Sequence, residues 1–379
     1  MNYNKTFFLC CLLVSLLSVF AFSIESSNAA EYNYEPYGIC THLDWLFFYK
    51  TEDEVVKSIE MIKETGVQWV RTGFVWAWLE PEEGKIEEDQ INRVMFIANK
   101  LKEKEINFYL NLGGTPKWTS ENPVVEDYWR YSPTDMEAWR KYIQLLGNRL
   151  KGIAKYWEIG NEVDWEAFWK SGMEKYVETL KIAYTELKKI DPEIVVLIGG
   201  LATDGVHGFK SGEMVAMDNA LQQMYDLGVK DYYDILSIHP YAISELGDTK
   251  VSLEKINTAY EVMIKNGDKD KKIWVTEIGL PTSIEEIDED VQAGNLKEVY
   301  TEILKHPQVE KIFWYNFRCK GTDPKDVEHT LGIINYDFSP RKAYYAFKEM
   351  KKYVEKPADR KFLKKKQKMI EKIKKETSR

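Results

Sequence analysis

The sequence predicts an α/β fold of one domain, a (β/α)8 TIM barrel, preceded by a signal peptide and followed by a basic helical tail. Three observations carry that reading. Eight short apolar segments alternate with eight amphipathic helical ones between Tyr37 and Tyr353, and eight strand-helix units are the number that closes this barrel. The apolar segments run nearly unbroken, as strands do when helices cover a parallel sheet. An open doubly wound sheet would be expected to carry a G-x-G-x-x-G or G-x-x-x-x-G-K turn after an early strand, and the chain has neither.

Taken in order, the chain opens with Lys5, an apolar run from Phe7 to Ile24 and the small residues Ser27, Ala29 and Ala30. This is the layout of a secretory signal peptide, so residues 1–30 are assigned to a leader and export is expected. An uncleaved anchor is the alternative, because the run approaches membrane-spanning length. The barrel domain is assigned to residues 31–354, with strands beginning near Tyr37, Val67, Ile106, Ala154, Ile194, Tyr233, Lys272 and Val309. The first helix shows the logic of the others: Val55, Val56, Ile59 and Ile62 form one apolar stripe, Asp53 suits the first turn and Gly66 ends it. Similar stripes span 88–104, 135–150, 173–190, 213–227, 252–265, 288–305 and 341–353. The tail, residues 355–379, spaces Phe362, Lys366, Met369, Ile370 and Ile373 as a basic amphipathic helix. Such a helix could touch a membrane or cell-wall polymer, or pack on the acidic body.

Charge and residue usage narrow the chemistry. The chain carries a net charge of -9, made of +7 in the tail and -16 in residues 1–354. So acidic a body argues against nucleic acid as substrate, because phosphate binding needs a basic surface. Cys10 and Cys11 fall in the leader. Cys40 and Cys319 remain, either as a disulfide tying the first and last strands or as two buried thiols. The five histidines form no H-x-H or H-E-x-x-H pair, so neither a catalytic metal nor another cofactor is expected. No G-x-S-x-G turn is present, which removes the ordinary serine esterase reading.

In a barrel of this kind, chemistry gathers at the C-terminal ends of the strands. Those ends place Arg71, Trp76 and Trp78 after the second strand, Thr115, Pro116 and Trp118 after the third, and Asn161 and Glu162 on the fourth. His239 and Tyr241 close the sixth, Glu277 the seventh, and Trp314 and Asn316 the eighth. Glu162 and Glu277 are 115 residues apart, yet a closed barrel can bring them to one rim. Two carboxyl groups flanking one bond suit acid/base and nucleophilic work. Tryptophan faces pack against the C–H surfaces of sugar rings while Asn, His and Arg bond hydroxyls, so the mixture suits a carbohydrate. Several of these residues keep a second reading. Glu80 and Glu158 are expected in ion pairs or at the surface, with Glu158 able to turn into the barrel. His239 is either a satisfied buried histidine or a group near substrate. Trp76, Trp78, Trp118 and Trp165 are either packing or sugar platforms. Tyr128, Trp129, Arg130 and Tyr131 could extend the cleft, and Lys117, Arg318 and Lys320 could offset the acidic charge near the rim.

The motifs WEIGNE (157–162), WVTEIG (274–279), SIHPY (237–241), VRTGFVWAWLEP (70–81) and TPKW (115–118) resemble those of clan A glycoside hydrolases. With the closing LGIINYDFSPRKAYYAF (331–347), the chain is most similar to family 39, with family 5 second. The resemblance covers roughly residues 37–353 and implies a retaining hydrolase of poly- or oligosaccharides. It makes Glu162 the acid/base and Glu277 the nucleophile, with Arg71 and Tyr241 donating to Glu277. Asn161 is then the partner of the sugar 2-hydroxyl, His239 an orienting group, Trp314 the floor under the reacting ring and Trp118 a further substrate contact. A noncatalytic carbohydrate-binding barrel and a transglycosylase with the same site remain the alternatives.

Overall fold

The computed structural model describes residues 36–203 and 213–353. The leader assigned to 1–30 and the tail assigned to 355–379, with its membrane or cell-wall contact, lie outside the described residues. Eight parallel strands close on themselves in sequence order: β1 (Tyr37–Cys40), β2 (Trp69–Val75), β3 (Asn107–Gly113), β4 (Tyr156–Asn161), β5 (Val195–Ala202), β6 (Ile235–His239), β7 (Lys272–Ile278) and β8 (Val309–Trp314). β1 pairs with β8 and completes the ring, as the strand count predicts.

Helices α1 (Glu52–Thr65), α2 (Trp76–Leu79), α3 (Glu88–Glu103), α4 (Met136–Arg149), α5 (Gly172–Ile190), α6 (Met217–Asp226), α7 (Thr249–Lys265), α8 (Glu289–Ile303) and α9 (Lys342–Tyr353) follow the strands. α1 has the ends its sequence foretells. The Thr51 side chain accepts from the Glu54 N–H, and Gly66, at φ 83°, takes the left-handed cap that glycine adopts without a Cβ penalty. The structure departs from the sequence reading at three boundaries. Residues Trp76–Leu79, read only as following the second strand, form the short helix α2; α6 begins at Met217 rather than residue 213, and α7 begins at Thr249, capped by Asp248.

The period-two alternation of each strand sorts its residues into two cores. Val70, Leu110, Trp157, Val196, Ile238, Val275 and Ile312 face the helices, while Trp69, Tyr109, Leu197, Trp274 and Phe313 fill the barrel. The filling is aromatic and packed edge to face, with Tyr109 and Phe313 centroids 4.9 Å apart and Trp69 and Trp274 5.3 Å apart. Above this plug the inward positions turn polar, with Arg71, Asn111 and Glu158 one step nearer the C-terminal rim. An apolar floor beneath a polar layer leaves the rim as the place where charge and ligand meet. Cys40 and Cys319 are free, buried thiols rather than a disulfide. Each is engaged locally: Cys40 Sγ donates to the Thr276 carbonyl at 3.1 Å, and Arg341 donates to Cys319 Sγ at 3.3 Å.

Candidate active site

Arg71, on β2, is the hub. Its guanidinium donates to Glu158 Oε2 at 2.9 Å, to Asn161 Oδ1 at 2.6 Å and to Glu277 Oε1. Glu158 is fully buried and also accepts from Asn111 at 2.9 Å, so it is the interior ion-pair partner rather than a surface acid. Tyr241 donates its hydroxyl proton to Glu277 Oε2 at 2.9 Å, and both Glu277 oxygens are thereby held. Because Asn161 spends its oxygen on Arg71, its amide N–H2 is the group left to donate into the cavity.

Glu162 follows Asn161 at φ 44°, a left-handed conformation unusual for a side chain of this size and one that gathers at functional sites. Gly160 makes that turn possible, since at φ 86° a Cβ there would stand 2.7 Å from Val163 Cγ1. Glu162 Oε1 meets His239 Nδ1 at 2.9 Å, while His239 Nε2 lies 3.0 Å from Thr276 Oγ1. The same Nδ1 is 3.8 Å from Glu277 Oε2. Glu162, His239 and Glu277 thus bring one ligand atom each within 4.8 Å of the others.

Two similarly buried glutamates are pushed in opposite directions. Burial raises the Glu162 carboxyl above the ordinary range, and the hydrogen bond from His239 offsets this only in part. Burial works on Glu277 the same way, but the neighbouring His239 and Arg71 charges and the Tyr241 hydrogen bond outweigh it and hold that carboxyl low. At His239, burial favours the neutral ring, yet the Glu277 charge and the bond to Glu162 bring its pKa above the usual histidine value. The trio could in principle surround a cation. Arg71 already supplies positive charge to Glu277, and both Glu277 oxygens have donors, so the donor set suits a proton-transfer pair better than a metal.

A cavity of about 630 Å³ opens over these groups, lined by Arg71, Asn161, Glu162, Tyr241 and Glu277. His239 is fully buried beneath it and reaches the cavity only through the glutamates. Two residues expected at the site lie elsewhere. Trp314 is fully buried among residues of the helix-facing core, because it shares strand parity with Ile312 and points outward. The next residue, Tyr315, follows as the cavity-lining ring, and its hydroxyl donates to Glu328 at 3.0 Å. Trp118 sits on a short 3-10 turn, packs edge-on to Trp76 at 5.9 Å and donates its indole N–H to the Glu80 carbonyl. It pins the loop after β3 to the loop after β2 and is not part of the cavity wall.

Of the remaining rim residues, Trp78, Trp165, Tyr128, Trp129, Arg130 and Lys320 line the cavity. Arg318 is buried and holds the carbonyls of Tyr336 and Phe48, so its charge serves the fold. Sequence reasoning passed over His42, Thr276, Tyr315 and Glu328. Strand parity along VEKIFWYNF could have singled out Tyr315; Glu328 comes from a loop for which no periodicity exists.

Comparison with known proteins adds two matching segments. The family model described as glycosyl hydrolase catalytic core matches residues 209–356, and one described as beta-galactosidase, glycosyl hydrolase 42, matches residues 44–124. No curated protein matches the chain. Among solved structures, a family 39 glycoside hydrolase from the gut symbiont Bacteroides cellulosilyticus WH2 superposes with a TM-score of 0.67 at 23% identity, over 84% of this chain and 64% of that one. This chain therefore spans less than two thirds of that relative's length. A family 39 beta-xylosidase from Caulobacter crescentus gives 0.62 at 18% identity, over 83% and 70% of the two chains. A family 5 enzyme from Streptomyces cattleya, solved in complex with Manb1-4GlcNAc, gives 0.65 at 14% identity, over 85% and 82%. The barrel has the fold of these family 39 and family 5 structures, and the two matched segments are similar to glycosyl hydrolase models.

Proposed function

We propose that this chain, a barrel of the family 39 and family 5 type, is a retaining glycoside hydrolase that cleaves a poly- or oligosaccharide outside the cytoplasm. One observation carries the reading: two carboxyl groups with oxygens within 4.8 Å of each other have their pKa values pushed apart, Glu162 above the ordinary glutamate range and Glu277 below it. Retaining enzymes need a separation of about 5 to 5.5 Å, whereas inverting enzymes leave about 6.5 to 9.5 Å for a water. In this scheme ionised Glu277 attacks the anomeric carbon while protonated Glu162 gives its proton to the departing oxygen. Once Glu277 is esterified its charge is gone, the Glu162 carboxyl becomes more acidic, and Glu162 takes a proton from the water that frees the sugar. Arg71 and Tyr241 keep Glu277 ionised and aimed, and the Asn161 amide suits the 2-hydroxyl of the reacting sugar. The leader read at residues 1–30 supports export, and a mature chain trimmed near residue 30 in the culture medium is the expected outcome.

The test is a panel of aryl glycosides and polysaccharides with wild type, Glu277→Gln and Glu162→Gln. Glu277→Gln is expected to lose turnover on every substrate. Glu162→Gln should keep measurable activity only on aryl glycosides whose leaving groups need little protonation. NMR of the first-formed sugar should show retained anomeric configuration. Inverted product, or full activity in Glu277→Gln, would sink the mechanism.

A further inference from the structure

Three aromatic side chains at the cavity mouth have no role in the chemistry just described. Trp45 and Phe47, in the loop after β1, stack with centroids 5.2 Å apart and planes 29° from parallel. Trp78, on α2, stands edge-on to both, at 6.2 Å and 5.9 Å. Phe47 is 64% exposed and Trp78 36%, although all three rings line the same cavity as Glu162 and Glu277. Large rings held rigidly against one another in solvent leave apolar surface that a ligand can cover.

Their direction from the reacting groups is also defined. Tyr315 abuts the nucleophile strand, its backbone N–H bonded to Ile278 O at 2.8 Å. From Tyr315 the ring contacts pass to His42 at 5.7 Å, from His42 to Trp45 at 4.1 Å, and then to Phe47. Lys320 lies over both the Trp45 and the Tyr315 rings, at 4.9 Å and 5.3 Å, and pairs with Glu328 at 2.8 Å, so charged groups accompany the aromatic path. Trp165 and Phe168, which follow Glu162 in the chain, also line the cavity, and a leaving group protonated by Glu162 is assigned to their side. The Tyr315 side then falls to the glycone, the part of the substrate that stays on Glu277 after the leaving group departs.

Building on the hydrolase reading, we propose that Trp45, Phe47 and Trp78 form a second sugar-binding site on the glycone side. The enzyme then acts on chains with two or more sugars ahead of the scissile bond and does not trim single residues. The occupant is a pyranose ring of the substrate itself, since the platform is continuous with the catalytic cavity. A cavity of about 630 Å³ is of a size that holds ligands of several rings.

The experiment compares p-nitrophenyl β-xyloside with β-xylobioside, β-mannoside with β-mannobioside, and β-glucoside with β-cellobioside. In the series that is turned over, kcat/KM should be at least about tenfold higher for the two-sugar substrate. Phe47→Ala and Trp78→Ala should each lower that two-sugar to one-sugar ratio by about three- to tenfold, the worth of one ring contact. Phe47 is largely solvent-exposed, so loss of folding does not confuse the result. Equal kcat/KM for the paired substrates, or a ratio unchanged in both variants, overturns this inference and leaves the hydrolase reading standing. Absence of turnover by the wild type in all three series and on the aryl-glycoside and polysaccharide panel overturns both.

Discussion

Glu162 and Glu277 are the same amino acid in equally dry surroundings, and only their partners differ. Glu277 has a guanidinium and a phenol on its two oxygens, whereas Glu162 has a single imidazole. The pH dependence follows with a definite sign. kcat/KM should fall on the acid side as Glu277 takes a proton, below the ordinary glutamate range, and on the alkaline side as Glu162 loses one, above that range. Thr276 anchors the far edge of the His239 ring, its Oγ1 3.0 Å from Nε2, while Nδ1 faces Glu162. Thr276→Val should lower kcat and, by weakening the bond that acidifies Glu162, move the alkaline limb upward; a pH profile identical to wild type would count against that role. At this scale the motifs pointed to Arg71, Asn161, Glu162 and Glu277, which the structure brings together, but also to Trp118 of TPKW, which lies off the cavity wall. Trp314 and Tyr315 are adjacent aromatics, and only the parity of β8 tells the buried one from the one that lines the cavity.

Individual elements carry the site by their ends. β7 loses regular register with β8 between Val275 and Ile278, and Glu277 sits in that irregular stretch while Thr276 reaches His239. β5 contributes no chemistry but yields space: a Cβ on Gly200 would stand 2.1 Å from His239 Nε2. Gly200→Ala should therefore displace the imidazole and with it Glu162. We expect a loss in kcat of about tenfold or more with a smaller change in KM, and a lowered melting temperature. Steady-state kinetics with a thermal melt checks this, and wild-type kcat would refute it. The strands and the main helices were legible because their apolar periods are long and regular. The one-turn helix α2 was not, since four residues, Trp76–Leu79, are too few to show a helical period. Trp118 was misplaced for a related reason: its partners, Trp76 and the Glu80 carbonyl, belong to another loop about forty residues earlier.

Across the whole molecule, stability and chemistry are separated along the barrel axis. The aromatic plug of Trp69, Tyr109, Trp274 and Phe313 excludes water below, and the polar layer of Arg71 and Glu158 carries charge above. Phe313 is fully buried, and its ring fills the space beside Gly38, which has no Cβ to contest it. Phe313→Ala should cost about 3 to 5 kcal/mol in stability through the cavity it leaves. Denaturant unfolding measures that loss; a change under about 1 kcal/mol would mean that the plug does not hold the barrel closed.

By itself, the sequence determined the eightfold strand-helix order, the polar strand ends and the pair of glutamates at the ends of β4 and β7, because local period and composition encode all of these. Tertiary structure decided the rest. It turned Trp314 outward and Tyr315 toward the cavity, buried His239 beneath the glutamates, kept Cys40 and Cys319 apart, and gathered Trp45, Phe47 and Trp78 at the mouth. The reason is physical: a side chain's face depends on strand parity counted from the pairing register, and a loop's course depends on contacts with residues far away in the chain.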